Sequence, residues 1–239
     1  MTESPRTPAA PLLDNVLDEL GRDIVAGTLP EGKTFTLQDL SSRFDISRTV
    51  AREVMRALEQ LGLVSSSRRV GITVRPRSEW AVFDQAIIDW RLATPKERRH
   101  QLRSLNELRS GVEPQAARLA AISATDAQRE ELTGLAAKMR ELGDSGEGSS
   151  QEFLEADVRF HALLLEASGN EMFAALAPSM LSVLHGRTRY GLQPSDPAPV
   201  ALTAHENLAR AVAEKNESGA EEQSRALLTE VSQIFVSDF

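Results

Sequence analysis

Beyond residue 78 the apolar side chains recur at intervals of three and four, with few glycines to interrupt them, and that spacing admits little but packed helices. Glycine gathers only in a Gly/Ser loop around 143–148 and again at 186–191. Helices are predicted near 80–92, 95–122, 125–142, 150–168, 170–188, 199–215 and 218–236. Thr94–Pro95 places a cap residue and a proline at a helix start. Thr125 with Gln128, and Ser149 with Glu152, have the spacing of a capping box.

The first 78 residues are patterned differently. Residues 1–10 read as a short flexible tail. Leu13, Val16, Leu17, Leu20 and Ile24 then fall on one helical face, with Gly27 as the stop, and Leu29–Pro30–Glu31–Gly32 is a turn. A short helix is predicted over Leu37–Phe44. Ser47 can cap a third helix running to about Gln60, whose inner stripe is Val50, Val54, Ala57, Leu58 and Leu61. Gly62 ends it. Two short runs, Leu63–Ser66 and Ile72–Val74, flank a basic turn at Arg68–Arg69 and Gly71, the pattern of a hairpin. Pro76–Arg77–Ser78 is a linker. The predicted architecture is mostly α: a winged helix-turn-helix over 11–76, a linker and first helix over 77–94, and an all-helical effector-binding and dimerisation domain over 95–239.

Charge separates the same two halves. The whole chain carries a formal charge of −8, which argues against a general nucleic-acid coat. Yet residues 38–77 hold eight arginines against four carboxylates, a locally basic module on an acidic chain. There is no cysteine, so disulfides, thiolate-bound zinc and thiol chemistry are excluded. No apolar run approaches the ~20 residues of a membrane span, and the N-terminus lacks the apolar core of a signal peptide. The expectation is a cytoplasmic protein with no membrane partner.

A recognition helix presents long polar donors at its N-terminal end, because that end reaches the base edges. Ser47, Arg48, Thr49 and Arg52 face away from the Val50/Val54/Leu58 stripe. Arg48 can read guanine bidentately or clamp a phosphate. Arg56 is a phosphate contact or solvated. Arg68, Arg69 and Gly71 can follow the minor groove, with glycine permitting close backbone approach. The alternative is a solvated arginine face on a small helical subdomain; the order of elements favours DNA binding.

The run from Phe44 through Ser47–Arg48–Thr49, Arg52 and Gly62–Leu63–Val64, followed by Arg69–Val70–Gly71, resembles the GntR family of bacterial repressors. That resemblance implies DNA contacts at Arg48, Thr49, Arg52 and Gly71. Many members carry arginine on the second helix where this chain has Gln38, which implies one altered contact and a different operator preference. The helical half resembles the FCD domain of the fatty-acid-regulator branch, through Leu108–Ala121, Asp157–His161 with Ala167–Asn170, and His205 with Leu208 and Ala211–Val212. The lead-in with Trp80, Asp84 and Trp90 is most similar to the galactonate or sugar-acid type of that branch.

Read from the residues themselves, Leu102, Leu105, Arg109, Val112, Ala116 and Leu119 form one buried stripe; Leu154, Asp157, His161 and Leu164 form another. His205 lies on a third, with Leu202 and Val212. A buried Arg, an Asp and two His are costly unless they meet one another, a metal or a ligand. Together they point to an effector site at Arg109, Asp157, His161 and His205. Asp157, His161 and His205 are a workable partial shell for a divalent ion (zinc, nickel or manganese). In metal-binding members of the branch, which the chain resembles, a third His would fall near Leu227. The other readings are direct hydrogen bonding of a polyhydroxylated acid, a structural Asp157–His161 pair, and Arg109 paired with Glu113. His185 and His100 read as structural or solvated.

The function expected is a homodimeric repressor released from operator DNA by a small acidic metabolite, an aldonate or another hydroxy-carboxylate. Two readings stand beside it: a DNA-binding dimer whose helical half senses a metal or only dimerises, and, more remotely, a metal-dependent enzyme. The sequence offers no separate nucleophile, phosphate loop or acid/base partner for the last.

Overall fold

The computed structural model describes residues 9–192, 197 and 199–237. The chain divides into two compact units, one up to Gln101 and the other from Leu102. Most of the tail expected over 1–10 lies outside the described residues. The first helix, α1 (Ala9–Val25), begins two residues before Pro11; proline is tolerated in a first turn, where its missing N–H has no intrahelical partner.

In the first unit α1 is followed by β1 (Thr34–Phe35), α2 (Leu37–Phe44), α3 (Arg48–Gln60), β2 (Val64–Ser67) and β3 (Gly71–Val74). The strands pair antiparallel in the order β1-β3-β2, with Phe35 opposite Ile72 and Val64 opposite Val74. Thr36 and Asp39 close a capping box on α2, and the Ser47 hydroxyl accepts from the Val50 N–H at the start of α3. The three residues between these helices are tightly held: Asp45 is left-handed, and the N–H groups of Asp45 and Ile46 both donate to the Ser41 carbonyl. Val16, Leu20, Ile24, Leu40, Ala51, Val54, Leu58, Leu63 and Ile72 make the core.

Residues 77–94 form a single 3-10 turn at Arg77–Glu79 and then α4 (Gln85–Ala93). The helix expected from residue 80 starts later because Asp84 caps the Ala86 N–H. Ahead of it, the Ala81 N–H donates to the Leu61 carbonyl and the Trp80 indole to the Arg75 carbonyl, 3.3 Å away. Ile87 and Trp90 enter the core of the first unit. The Trp90 ring fills the space that a Cβ on Gly21 would need, and its Nε1 donates to Asp18 at 2.5 Å.

Gly62 is demanded twice. Its φ is +71°, and a Cβ there would collide with the Glu79 carbonyl oxygen. Gly62→Ala is expected to cost at least about 1–2 kcal/mol from the left-handed backbone alone, with the collision adding to it. The first unit's urea midpoint should drop without a change in slope.

In the second unit the helices are the body of α5 (Pro95–Ser123), α6 (Asp126–Asp144), α7 (Gln151–Ala167), α8 (Glu171–Arg189), α9 (Pro199–Ala213) and α10 (Glu217–Ser237). Five of them are neighbours in the order α8-α7-α6-α9-α10, and α5 adds Ala117, Ala120 and Ala121 to the shared core with Phe160, Leu164, Leu208 and Val212. Thr125 and Gln128 form the capping box expected. At α7 the cap is Ser150 rather than Ser149, its hydroxyl accepting from Phe153, so no Glu stands at the position a capping box needs. Arg129, buried on α6, donates to the carbonyls of Ala124 at 2.9 Å and of Val212, closing the C-terminal ends of α5 and α9.

Candidate functional site: a recognition helix and a buried Asp/His cluster

The first unit offers a polar face. Arg48, Thr49 and Arg52 are exposed at the N-terminal end of α3, and the apolar side of that helix is sealed by Ala51, Val54 and Leu58. Ser47 is the cap of that helix. Arg56, one turn further on, is paired with Glu53 at 2.9 Å. Arg68 and Arg69 are exposed in the turn of the hairpin. Gly71 does not stand free at the tip: it opens β3 opposite Ser67, its φ is +91°, and the Phe35 carbonyl oxygen lies 2.8 Å from where a Cβ would be. The fold itself therefore requires that glycine, whatever the DNA requires.

The second unit buries its charges. Asp157 and His161 sit one turn apart on α7 and His205 on α9, all three buried. The Nε2 atoms of His161 and His205 lie 3.2 and 3.5 Å from the same oxygen, Asp157 Oδ1. One ligand atom from each residue falls within 4.8 Å of the others, the one such group of three among the described residues that is fully buried. Phe160 stands edge-on to both imidazoles, with centroids 5.5 and 5.1 Å away.

The far nitrogen of each ring faces an acceptor. His205 Nδ1 is 2.8 Å from the Ala201 carbonyl, which can only accept, so the proton sits on Nδ1. His161 Nδ1 is 2.8 Å from Glu113 Oε2. In the neutral rings both Nε2 lone pairs then converge on a carboxylate oxygen, and such a set requires a cation among its members. Asp157 Oδ1, His205 Nε2 and His161 Nδ1 find no hydrogen-bond geometry among the described residues, so Glu113 meets His161 as a close ion pair.

The residues present fit a divalent ion. A tetrahedron of ligands about 2.1 Å from zinc has edges of roughly 3.4 Å, close to the 3.2 and 3.5 Å observed. Among the described residues Asp157, His161 and His205 would supply three ligands to such an ion. Leu227 is buried and, as an aliphatic side chain, contributes no ligand.

Arg109 is almost fully buried on α5, but its charge is already matched. Its Nε and Nη2 donate to the Glu113 carboxylate at 2.5 and 3.3 Å, and only Nη1 finds no partner. The expected pairing of Arg109 with Glu113 is present, one edge of the fork being spent on it, and Nη1 is left without a partner. Glu113 is the residue that sequence reasoning left in the background. It ties Arg109 to His161, and the only sign of it was its position four residues after Arg109. Buried Arg187 on α8 was not anticipated; it feels both Asp157 and Arg109. His185 is exposed, as expected, whereas exposed His100 lies 2.9 Å from Arg91.

Burial pushes the Glu113 carboxyl up, but Arg109 and then His161 outweigh it and hold it at about 2. Burial likewise raises Asp157, and the two imidazoles bring it well below the usual range. His161 is pushed down by burial and lifted above its ordinary value by Glu113 and Asp157. A carboxylate with a depressed pKa stabilises the fold above its unfolded value and loses that contribution as pH falls towards the folded one. Acid unfolding of the second unit is therefore expected between about pH 4.5 and 2. In Glu113→Gln the same titration, followed by far-UV circular dichroism, should be flatter in that window.

The comparisons agree with this division. The model described as "Bacterial regulatory proteins, gntR family" matches residues 12–74, and that of the FCD domain matches 104–230. The chain is 28% identical over 213 residues to the uncharacterised regulator YieP of Escherichia coli, covering 88% of this chain and 90% of that protein. It is 27% identical over 219 residues to the galactonate operon transcriptional repressor of the same organism, covering 90% and 93%. The solved structure of Lar, which controls expression of the Listeria monocytogenes agr system, superposes with a TM-score of 0.62 at 14% identity, covering 98% of this chain and 99% of that one, and so shares the fold. Among the described residues no helix is long and apolar enough to cross a membrane. The chain belongs to the gntR family of bacterial regulatory proteins and carries an FCD domain: it is a DNA-binding transcription regulator, not an enzyme, with a helical effector-binding half.

Proposed function

We propose that the chain is a homodimeric repressor whose operator grip is released by a small hydroxy-carboxylate of the sugar-acid type. The observation that carries this is the buried convergence of Asp157 Oδ1 with the Nε2 atoms of His161 and His205, beside the unpartnered Nη1 of Arg109. A carboxylate can take the unspent N–H groups of Arg109 Nη1, and the hydroxyls of a polyol chain can pair with Asp157 and the two imidazoles. Similarity to the galactonate operon transcriptional repressor supports an aldonate.

Asp157, His161 and His205 would hold a divalent ion, zinc, nickel or manganese. When bound, it supplies a Lewis-acid seat for a carboxylate and its neighbouring hydroxyl. The Ala201 carbonyl keeps His205 in the tautomer that presents Nε2, and the Glu113 carboxylate, 2.8 Å from His161 Nδ1, favours a proton on that nitrogen.

On the DNA side, Arg48, Thr49 and Arg52 enter the major groove, Ser47 capping the helix that carries them. Arg68 and Arg69 follow the adjacent backbone or minor groove, beside the Gly71 turn. A two-fold dimer matches a palindromic operator.

The test is thermal unfolding of the chelator-treated full chain against a panel of aldonates, uronates and hydroxy acids, with and without each metal. A ligand that binds only the folded state raises the midpoint by mass action. A rise from an aldonate alone supports direct hydrogen bonding, and a rise that requires metal supports the three-ligand centre. No rise from any acid, with metal or without, would leave the helical half a metal sensor or a dimerisation module.

A further inference from the structure

Gln38 lies on α2, and Arg48 opens α3 across the three-residue turn. The Arg48 Nη2 donates to Gln38 Oε1 at 3.3 Å, while Gln38 Nε2 donates to the Ser42 hydroxyl one turn along α2, also at 3.3 Å. The sense of the amide is dictated by its partners. A guanidinium can only donate, so the oxygen faces Arg48 and the NH2 is left for Ser42. All three side chains are exposed, on the polar face formed by the start of α3.

The backbone beneath them is fixed. Asp45 is left-handed with φ 49°, the Ser41 carbonyl takes the N–H groups of Asp45 and Ile46, Ile46 is buried, and the Ser47 hydroxyl accepts from Val50. The distance between the α2 and α3 backbones is therefore set, and the amide acts as a strut across it. An arginine at a helix start has four χ angles and many rotamers, so tethering one Nη2 proton removes much of that freedom before DNA arrives. The guanidinium still has two parallel N–H groups for the O6 and N7 acceptors of a guanine.

We infer that Gln38 is a positioning residue for base recognition: tethered by Ser42, it aims the Arg48 guanidinium so that the pair reads one guanine as a unit. The inference rests on the proposal that Arg48 enters the major groove. Gln38 does not spend its amide on an adenine of its own; it sharpens the choice made by Arg48.

The experiment begins with an operator selected from random duplexes by the full chain. Affinities for every single-base variant of it are then measured for the unaltered chain, Gln38→Met, Arg48→Ala and the double variant. Gln38→Met keeps the length of the side chain and removes both hydrogen bonds from an exposed site; an unchanged melting midpoint controls for folding. Arg48→Ala should relax one G·C position. Gln38→Met should weaken preference at that same position about five- to tenfold, leave non-specific affinity and its salt slope unchanged, and add nothing in the Arg48→Ala background. If Gln38→Met relaxes a different position, or leaves every preference as it was, the inference is wrong although Arg48 still reads a base. If Arg48→Ala leaves all base preferences intact, the groove reading itself fails and the inference with it.

Discussion

Arg109→Ala should destabilise the second unit by about 3–5 kcal/mol, the range for breaking one partner out of a buried ion pair. The substitution leaves the Glu113 carboxylate, itself buried, facing His161 without the cation that faces it on α5. At about 2–4 °C per kcal/mol for a chain of this size, the melting midpoint should fall by roughly 10 °C. Converting the partner as well, in Arg109→Met with Glu113→Gln, should recover most of the loss, since the cost lies in the orphaned charge. A drop under about 1 kcal/mol in the single variant would mean that the pair is solvated in solution. Sequence alone leaves Arg109 between an effector contact and a pair with Glu113. The Arg109–Glu113–His161 chain makes it a structural residue first, and a loss of effector response in Arg109→Ala has to be read against its stability.

Arg48→Ala should weaken operator binding about 5- to 150-fold, the 1–3 kcal/mol of a bidentate base contact. The fold should be untouched, because the side chain is exposed and the helix is capped by Ser47 rather than by Arg48. Two measurements separate its possible contacts. Loss of a base contact leaves the salt dependence of non-specific binding unchanged, whereas loss of a phosphate contact lowers its slope by about one. A stable variant with unchanged operator affinity would remove Arg48 from the interface.

These two residues also show where the sequence was transparent. The bounds of α2 and α3 are legible because their punctuation is local: Ser47 caps, Gly62 stops, and the Val50/Val54/Leu58 stripe lies on one face. The later helices are legible for the same reason, from three-and-four spacing between capping residues. β1 is not, since two residues carry no periodicity and Thr34–Phe35 becomes a strand only by pairing with β3. The start of α4 is misplaced because Trp80 and Asp84 have helical spacing, although tertiary hydrogen bonds hold Trp80–Ala81 outside the helix.

In the site, Asp157 and His161 declare themselves by lying four residues apart on one helix, and His205 by its place on an apolar stripe. That both rings aim at one carboxylate oxygen depends on how α7 and α9 pack, which no local pattern encodes. Glu113 is hidden differently: on the sequence it is one more carboxylate near an arginine, and only burial turns it into the link between Arg109 and His161. Arg187 carries no local signal, because its burial is decided by neighbours distant in sequence.

Filling the Asp157/His161/His205 site should loosen the grip on DNA. The direct measurement is fluorescence anisotropy of the full chain on its selected operator, titrated with an aldonate that raises the melting midpoint, in the presence of the metal where metal is required. A coupling of about 1–3 kcal/mol predicts that saturating aldonate weakens operator affinity about 5- to 150-fold, and that His205→Ala abolishes the response while retaining affinity. If an aldonate binds and operator affinity stays unchanged, the site does not control the grip on DNA.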